Sequence, residues 1–176
     1  MMVDATTDFL GAGGGESRPD EGRVQGELYL RFVLNSGAEF ALPAMGVQEV
    51  VGVSPERISA VPNVPPTVMG AYNWRGQVIW IGDLGMFLGL PPLNTNRPEL
   101  SVIVVSEQGV ACGLAIDRVV GAEFLDPRQL RPPLSGENPA QGPSLVQGEW
   151  SLPDGAVVQL LAPKALVDPQ VWSAAV

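Results

Sequence analysis

The chain has 176 residues, 45% hydrophobic and 16% charged, with 21 glycines and 17 prolines; that is enough for one ordinary domain, or two small halves sharing a core, built from short strands and punctuated turns. Its formal charge is −9, Lys164 is its only lysine and it has no histidine. Nucleic acid and an anionic bilayer therefore lack a basic surface to bind, and the usual general base, the commonest metal ligand and phosphohistidine chemistry are all missing.

Residues 1–24 join the run Gly11–Gly15 to Glu16, Arg18, Asp20, Glu21 and Arg23, a mixture that reads as a disordered tail. No Lys-Ser/Thr follows the glycines and no strand precedes them, so they make a linker and not a phosphate loop. Acidic residues stand where a signal peptide would be positive. No run reaches the roughly 18 apolar residues of a membrane span, and the expectation is a cytoplasmic protein without direct membrane insertion.

From Leu28 the pattern turns to period two, with Leu28, Leu30, Phe32 and Leu34 on one side of a half-buried strand and Tyr29, Arg31 and Val33 on the other. Asn35-Ser36-Gly37 turns the chain into a returning strand, Phe40 to Pro43. One helical turn over Pro43–Gly46 leads to a strand at Val47–Val51, where Glu49, among apolar neighbours, needs a partner or water. Ile58, Ala60 and Val61 suggest a short strand that Pro62 ends. Thr67–Met69 reads as a single turn. Two further strands, Ala71–Trp74 and Gln77–Ile81, hinge at Arg75-Gly76, and Asp83 is the N-cap of a helix over Leu84–Leu88 that Gly89 stops.

Pro91 to Pro98 is the best internal boundary, separating a first half of about 25–90 from a second of about 99–170. Beyond it come a hairpin, Leu100–Val105 with Val110–Ile116, and a strand over Val119–Phe124. A long loop over Asp126–Pro143 follows, then a last hairpin, Leu145–Trp150 with Ala156–Leu161, and a helical turn at Lys164–Val167. Some ten strands in two groups of five make an all-β chain, as two small barrels or a sandwich.

Few residues invite chemistry. Asp83-Leu84-Gly85 resembles an aspartic protease loop, but the Thr or Ser that belongs between Asp and Gly is absent; a hydrolase using Asp83 is the alternative from another class, and Asp117 has no loop glycine to pair with it. A ligand-binding β-barrel is a third reading. Cys112, alone in the run Val110–Leu114, reads as a buried, inert thiol in a reducing compartment. Trp74 and Trp80 are either partner anchors or core, and their six-residue spacing puts them on one face if the hairpin is regular.

The order of these pieces resembles the CheW-type adaptor proteins of bacterial chemotaxis-like systems. The resemblance rests on Val47-Gln48-Glu49-Val50, Ile58 to Pro62, the run Gly70 to Ile79, Asp83-Leu84, Gly113 to Val119 and the last hairpin, and covers about residues 26–168. It implies two five-stranded SH3-like barrels packed side by side, no catalytic residue, no cofactor and no metal. It also implies two partners, the regulatory domain of a CheA-type histidine kinase and the tip of a methyl-accepting chemoreceptor. By resemblance, Leu30, Ala44, Val47 and Val61 are candidates for an apolar kinase-binding patch, and Gly70, Arg75, Val119 and Ala122 for a receptor-binding groove between the barrels. Glu49 and Arg75 are candidates for a bidentate ion pair. Trp74, Trp80, Gly85 and Ala162 replace the family's usual Leu, Pro, Arg and acidic residue, departures that suit a specialised paralogue in a pilus-motility or light-directed array.

Overall fold

Ten strands organise the residues described by the structure, a computed structural model: 26–134 and 144–173. The 1–24 tail and much of the 126–143 loop lie outside the described residues. In chain order come β1 (Glu27–Val33), β2 (Glu39–Pro43), β3 (Val47–Val53), β4 (Val68–Trp74), β5 (Gln77–Asp83) and α1 (Leu84–Phe87). After the connector follow β6 (Leu100–Glu107), β7 (Val110–Ile116), β8 (Arg118–Leu125), β9 (Val146–Ser151), β10 (Val157–Leu161), α2 (Pro163–Leu166) and α3 (Pro169–Ser173).

The strands form two five-stranded sheets, ordered β3-β6-β7-β5-β4 and β8-β1-β2-β10-β9. Each is antiparallel except at one pair, β5 with β7 and β10 with β2. Each is closed by one bridge, Ser59 to Ala71 on β4 and Arg131 to Glu149 on β9. The result is two small SH3-like barrels, a central one of β3–β7 and a terminal one that joins β1 and β2 to β8–β10. Chain crosses between them at the 3₁₀ turn Ala44–Gly46 and at the single residue Asp117.

The connector at 91–98 therefore does not mark the border between the barrels. What recurs on either side of it is an element order: a hairpin, a long strand, a 3₁₀ turn opened by proline (Pro55–Arg57, Pro127–Gln129), a bridge residue, a second hairpin and a short helix. Each half lends its first hairpin to the other half's barrel. The connector is itself anchored: Leu93 is buried in the central barrel, and Asn35 Nδ2 donates to the Pro92 carbonyl at 3.1 Å.

Three apolar clusters explain the strand patterns. Tyr72, Ile79, Ile81, Leu100, Val102 and Val104 fill the central barrel, while Tyr29, Ala41, Leu125, Trp150, Val158 and Leu160 fill the terminal one. Between the barrels, Phe32, Phe40 and Leu42 meet Ile103, Val105, Leu114 and Ile116. β6 is buried on both faces, hence its near-continuous apolar run. β1 behaves similarly: Leu30, Phe32 and Leu34 pack on the shared core as their spacing requires, yet Tyr29 on the opposite face is 3% exposed and Leu28 is 39% exposed. A strand with a barrel interior on one side and a second barrel on the other has no solvent face in its middle.

Local expectations shift at several places. Ile58–Val61 forms no strand, only the Ser59 bridge. Thr67–Met69 is not a turn: the turn is at Pro66-Thr67, where Val68 N–H closes onto the Pro65 carbonyl at 2.9 Å, and Val68 already pairs with Gly82 while Met69 sits at the bulge that follows in β4. The final helical turn starts one residue early, at Pro163, whose fixed φ suits a first helical position. Helix α3 carried no clear signal. It is held by Trp172, whose Nε1 donates to the Leu166 carbonyl at 2.7 Å and whose ring meets Phe87 at 4.9 Å.

Candidate functional site

The β4–β5 hairpin turns through Arg75 and Gly76, with φ of 51° and 80°, the left-handed pair that matches a two-residue turn to strand twist. Asn73 Oδ1 accepts from Gly76 N–H at 2.9 Å and fixes the turn. This geometry brings the hairpin tip to Glu49, which sits at a bulge in β3. Trp74 Nε1 donates to Glu49 Oε2 at 2.9 Å, and Arg75 Nη2 lies 3.0 Å from the same oxygen. The guanidinium also stands over the Trp74 ring, 5.4 Å from its centroid. The expected Arg75–Glu49 pair thus forms, but it is not bidentate, since a single carboxylate oxygen receives both donors. With Arg75 70% and Glu49 32% exposed, the pair stays within reach of a partner.

The two tryptophans do not share a face. Trp80 pairs with Ala71, three residues before Trp74, and an odd offset along β4 puts the two rings on opposite sides. A two-residue turn reverses the parity that counting along one strand suggests. Trp74 packs against the central barrel's interior, and Trp80 points outward with 45% of its surface exposed.

Of the residues assigned by resemblance to the kinase, Leu30 and Val47 are half-buried against the shared core and Ala44 lies in the turn that crosses between barrels. Val61 belongs to none of the three clusters and follows the Ser59 bridge. Of those assigned to the receptor, Arg75 is at the hairpin tip, Val119 and Ala122 lie on β8, and Gly70 is buried. A Cβ on Gly70 would stand 2.2 Å from the Ser59 carbonyl oxygen. The close approach that asks for glycine here comes from the chain's own backbone.

Asp83 and Asp117 each hold groups of the chain itself. Asp83, 5% exposed, caps α1 by accepting from Met86 N–H at 3.2 Å and holds the connector by accepting from Leu93 N–H at 2.7 Å. Asp117 Oδ1 receives Arg97 Nη2 at 2.7 Å. Arg31 on β1 is paired with both Glu39 and Glu123; burial opposes its charge, and the two glutamates outweigh it, raising the guanidinium's pKa. Sequence reasoning missed this cluster and the Arg97–Asp117 pair: Glu123 and Asp117 lie 92 and 20 residues from their arginines, and Glu39 meets Arg31 only through the register of the β1–β2 hairpin. Burial pushes the Cys112 thiol up to about 12, which leaves it protonated and inert. Among the described residues no group of three or more acidic, cysteine or histidine side chains could hold a metal, and no helix is long and apolar enough to cross a membrane. Among the described residues, an apolar side-chain cluster occupies the interior of each barrel.

Residues 28–170 match the family model described as CheW-like domain. The chain is 33% identical over 95 residues to a probable chemotaxis protein CheW of Rhizobium etli, covering 54% of this chain and 59% of that protein. It is 29% identical over 94 residues to the chemotaxis protein CheW of Helicobacter pylori, covering 53% and 54%. These matches thus span little more than half the length of the curated relatives. Among solved structures, the scaffolding protein TtCheW from Thermoanaerobacter tengcongensis is similar with a TM-score of 0.67 and 23% identity, over 78% of this chain and 89% of that one. At that identity the likeness concerns the fold.

Proposed function

The chain belongs to the CheW-like domain family, and from that premise we propose that it is a non-enzymatic scaffold of a chemotaxis-like array, joining the regulatory domain of a CheA-type histidine kinase to the tip of a methyl-accepting chemoreceptor. The observation that carries this reading is the match over residues 28–170, which takes in both barrels. In this reading Leu30, Ala44, Val47 and Val61 meet the kinase, and Arg75 with Val119 and Ala122 lines the receptor groove. Gly70 contributes by letting β4 close against Ser59. The protein works in the cytoplasm and reaches the membrane through its partners.

A scaffold of this kind acts by geometry. Any control it exerts is the coupling free energy between its two contacts. The Glu49–Trp74–Arg75 cluster supports such a role, because it fixes an exposed guanidinium by two neighbours instead of leaving it on a free side chain. Co-sedimentation with receptor-containing membranes and the cognate kinase tests the proposal. The chain is expected in the membrane pellet, and the kinase is expected there only when the chain is present; Arg75→Ala is expected to weaken receptor capture while the fold stays intact. A chain that pellets with neither partner is not this scaffold. Flagellar, pilus-driven and light-directed movement of a deletion strain, measured side by side, identifies the array it serves.

A further inference from the structure

Outside the candidate contacts above, one surface of the central barrel is unexplained by the fold. On the outer side of β5 and β7, Val78 is 70%, Trp80 45% and Val110 52% exposed. The parallel register that sets Trp80 beside Cys112 puts Val78 and Val110 two residues earlier on the same strands, so the three side chains form one patch. Glu107, the cross-strand neighbour of Val110, stands at its edge and makes no ion pair among the described residues.

The terminal barrel provides an internal control. Its bridge residue Glu149 pairs with Gln159 as Ala71 pairs with Trp80, and Gln159 lies beside Phe40 as Trp80 lies beside Cys112. The places of Trp80 and Val110 are therefore taken there by Gln159 and Ala38. A barrel of this design closes with a glutamine at that position, so the indole of Trp80 is not required by the architecture. Exposed aromatic residues flanked by aliphatic ones are the usual anchors of protein contacts.

We propose that Val78, Trp80 and Val110, with Glu107 at the rim, form a docking face for a protein partner whose surface is apolar at its centre and carries an arginine or lysine opposite Glu107. Charge decides the partner's class. A second copy would set an unpaired Glu107 and a chain of formal charge −9 against their own likeness, whereas a basic rim relieves both.

The test uses the full-length chain with a photo-crosslinking phenylalanine at position 78, and position 157 of the terminal barrel as reference, irradiated in its native host; the crosslinked peptide is then sequenced. The expected result is a higher yield at 78 than at 157, on an apolar peptide containing Lys or Arg. Trp80→Gln and Glu107→Lys should each lower that yield at least about tenfold with the thermal midpoint unchanged. Should Trp80→Gln unfold the chain, Val110→Ser takes its place in the comparison. Equal yields at 78 and 157, capture of a second copy of the chain, or a captured peptide without a basic residue overturns the proposal. Failure of the kinase and receptor co-sedimentation would leave it standing, because it draws on neither contact.

Discussion

Gly70 and Gly148 serve the same purpose on the two barrels. A Cβ on Gly70 would lie 2.2 Å from the Ser59 carbonyl oxygen, and one on Gly148 would lie 2.6 Å from that of Arg131. Those carbonyls belong to the two closing bridges: Ser59 and Ala71 exchange bonds of 2.8 and 2.9 Å, Arg131 and Glu149 bonds of 2.9 and 2.8 Å. Each barrel thus closes by pressing a crossing segment onto a strand where it carries no side chain.

Substitution at either glycine should open its bridge. Gly70→Ala meets both the clash and a φ of +147°, and is expected to cost roughly 3 kcal/mol or more; Gly148→Ala meets the clash alone and should cost roughly 1–3 kcal/mol. Urea unfolding of the two variants measures this. If Gly70 served only a partner's approach, Gly70→Ala would lose binding and leave the urea midpoint where it was.

The hairpin cluster should behave differently, because it is exposed. A double-mutant cycle on Glu49→Ala and Arg75→Ala is expected to return a coupling of about 0–1 kcal/mol. Glu49→Ala should also shift the emission of Trp74, which loses the acceptor of its indole N–H. A coupling well above that range would mean that the pair holds the fold and not a contact surface.

Asp83 separates a structural carboxylate from a catalytic one. Asp83→Ala removes the acceptor of two backbone amides, one of them buried, and should cost about 1–3 kcal/mol. Amide exchange at Leu93 should accelerate with it, since the connector loses its anchor. An Asp83→Ala protein as stable as the parent, with slow exchange at Leu93, would contradict this account.

Much of this organisation was legible locally. Period-two alternation, the Arg75-Gly76 turn and the Asp83 cap mark strands, hairpins and α1, since each depends on residues within a few positions. The burial of Tyr29 beside an exposed Leu28 was not, because the second covered face of β1 is supplied by β9 and β10, over a hundred residues downstream. Proline and polar residues at 91–98 signal a connector correctly. They are silent about which barrel each flanking hairpin joins, which the parallel pairs β2–β10 and β5–β7 decide. The opposite orientation of Trp74 and Trp80 follows from the register across a turn, and a period counted along one strand cannot supply it.

Alkaline pH should weaken the fold through two buried groups. Burial raises the Cys112 thiol from 9.0 to about 12. For Tyr29, burial first, then the charge and hydrogen bond of Glu27, raise the phenol from 10.0 to about 12. The unfolded chain releases these protons before the native one does, so the native state binds more protons between the two values. Their contribution is fully present below about pH 9 and is lost towards pH 12, at up to about 1.4 kcal/mol per pH unit for each group titrating in the unfolded chain. Unfolding at pH 8 to 11 should show the decline, with Cys112→Ala flattening its onset and Tyr29→Phe its continuation. Slopes unchanged in both variants would assign the decline to other groups.

Asp117 is the whole of the passage from β7 in the central barrel to β8 in the terminal one, and Arg97 holds it twice. Nη2 reaches its carboxylate at 2.7 Å and Nη1 its carbonyl at 3.2 Å. Both side chains are partly exposed, 30% and 27%, so screening limits the charge term, and the main-chain bond fixes the angle of the crossing. Asp117→Ala should therefore cost only about 1 kcal/mol, while Arg97→Ala, which loses both bonds, should cost more. The two changes should fall short of additivity, because they remove a shared bond. Urea unfolding of the single and double variants provides the comparison. Full additivity would mean that Arg97 and Asp117 act apart, and that the chain between the barrels keeps its course without them.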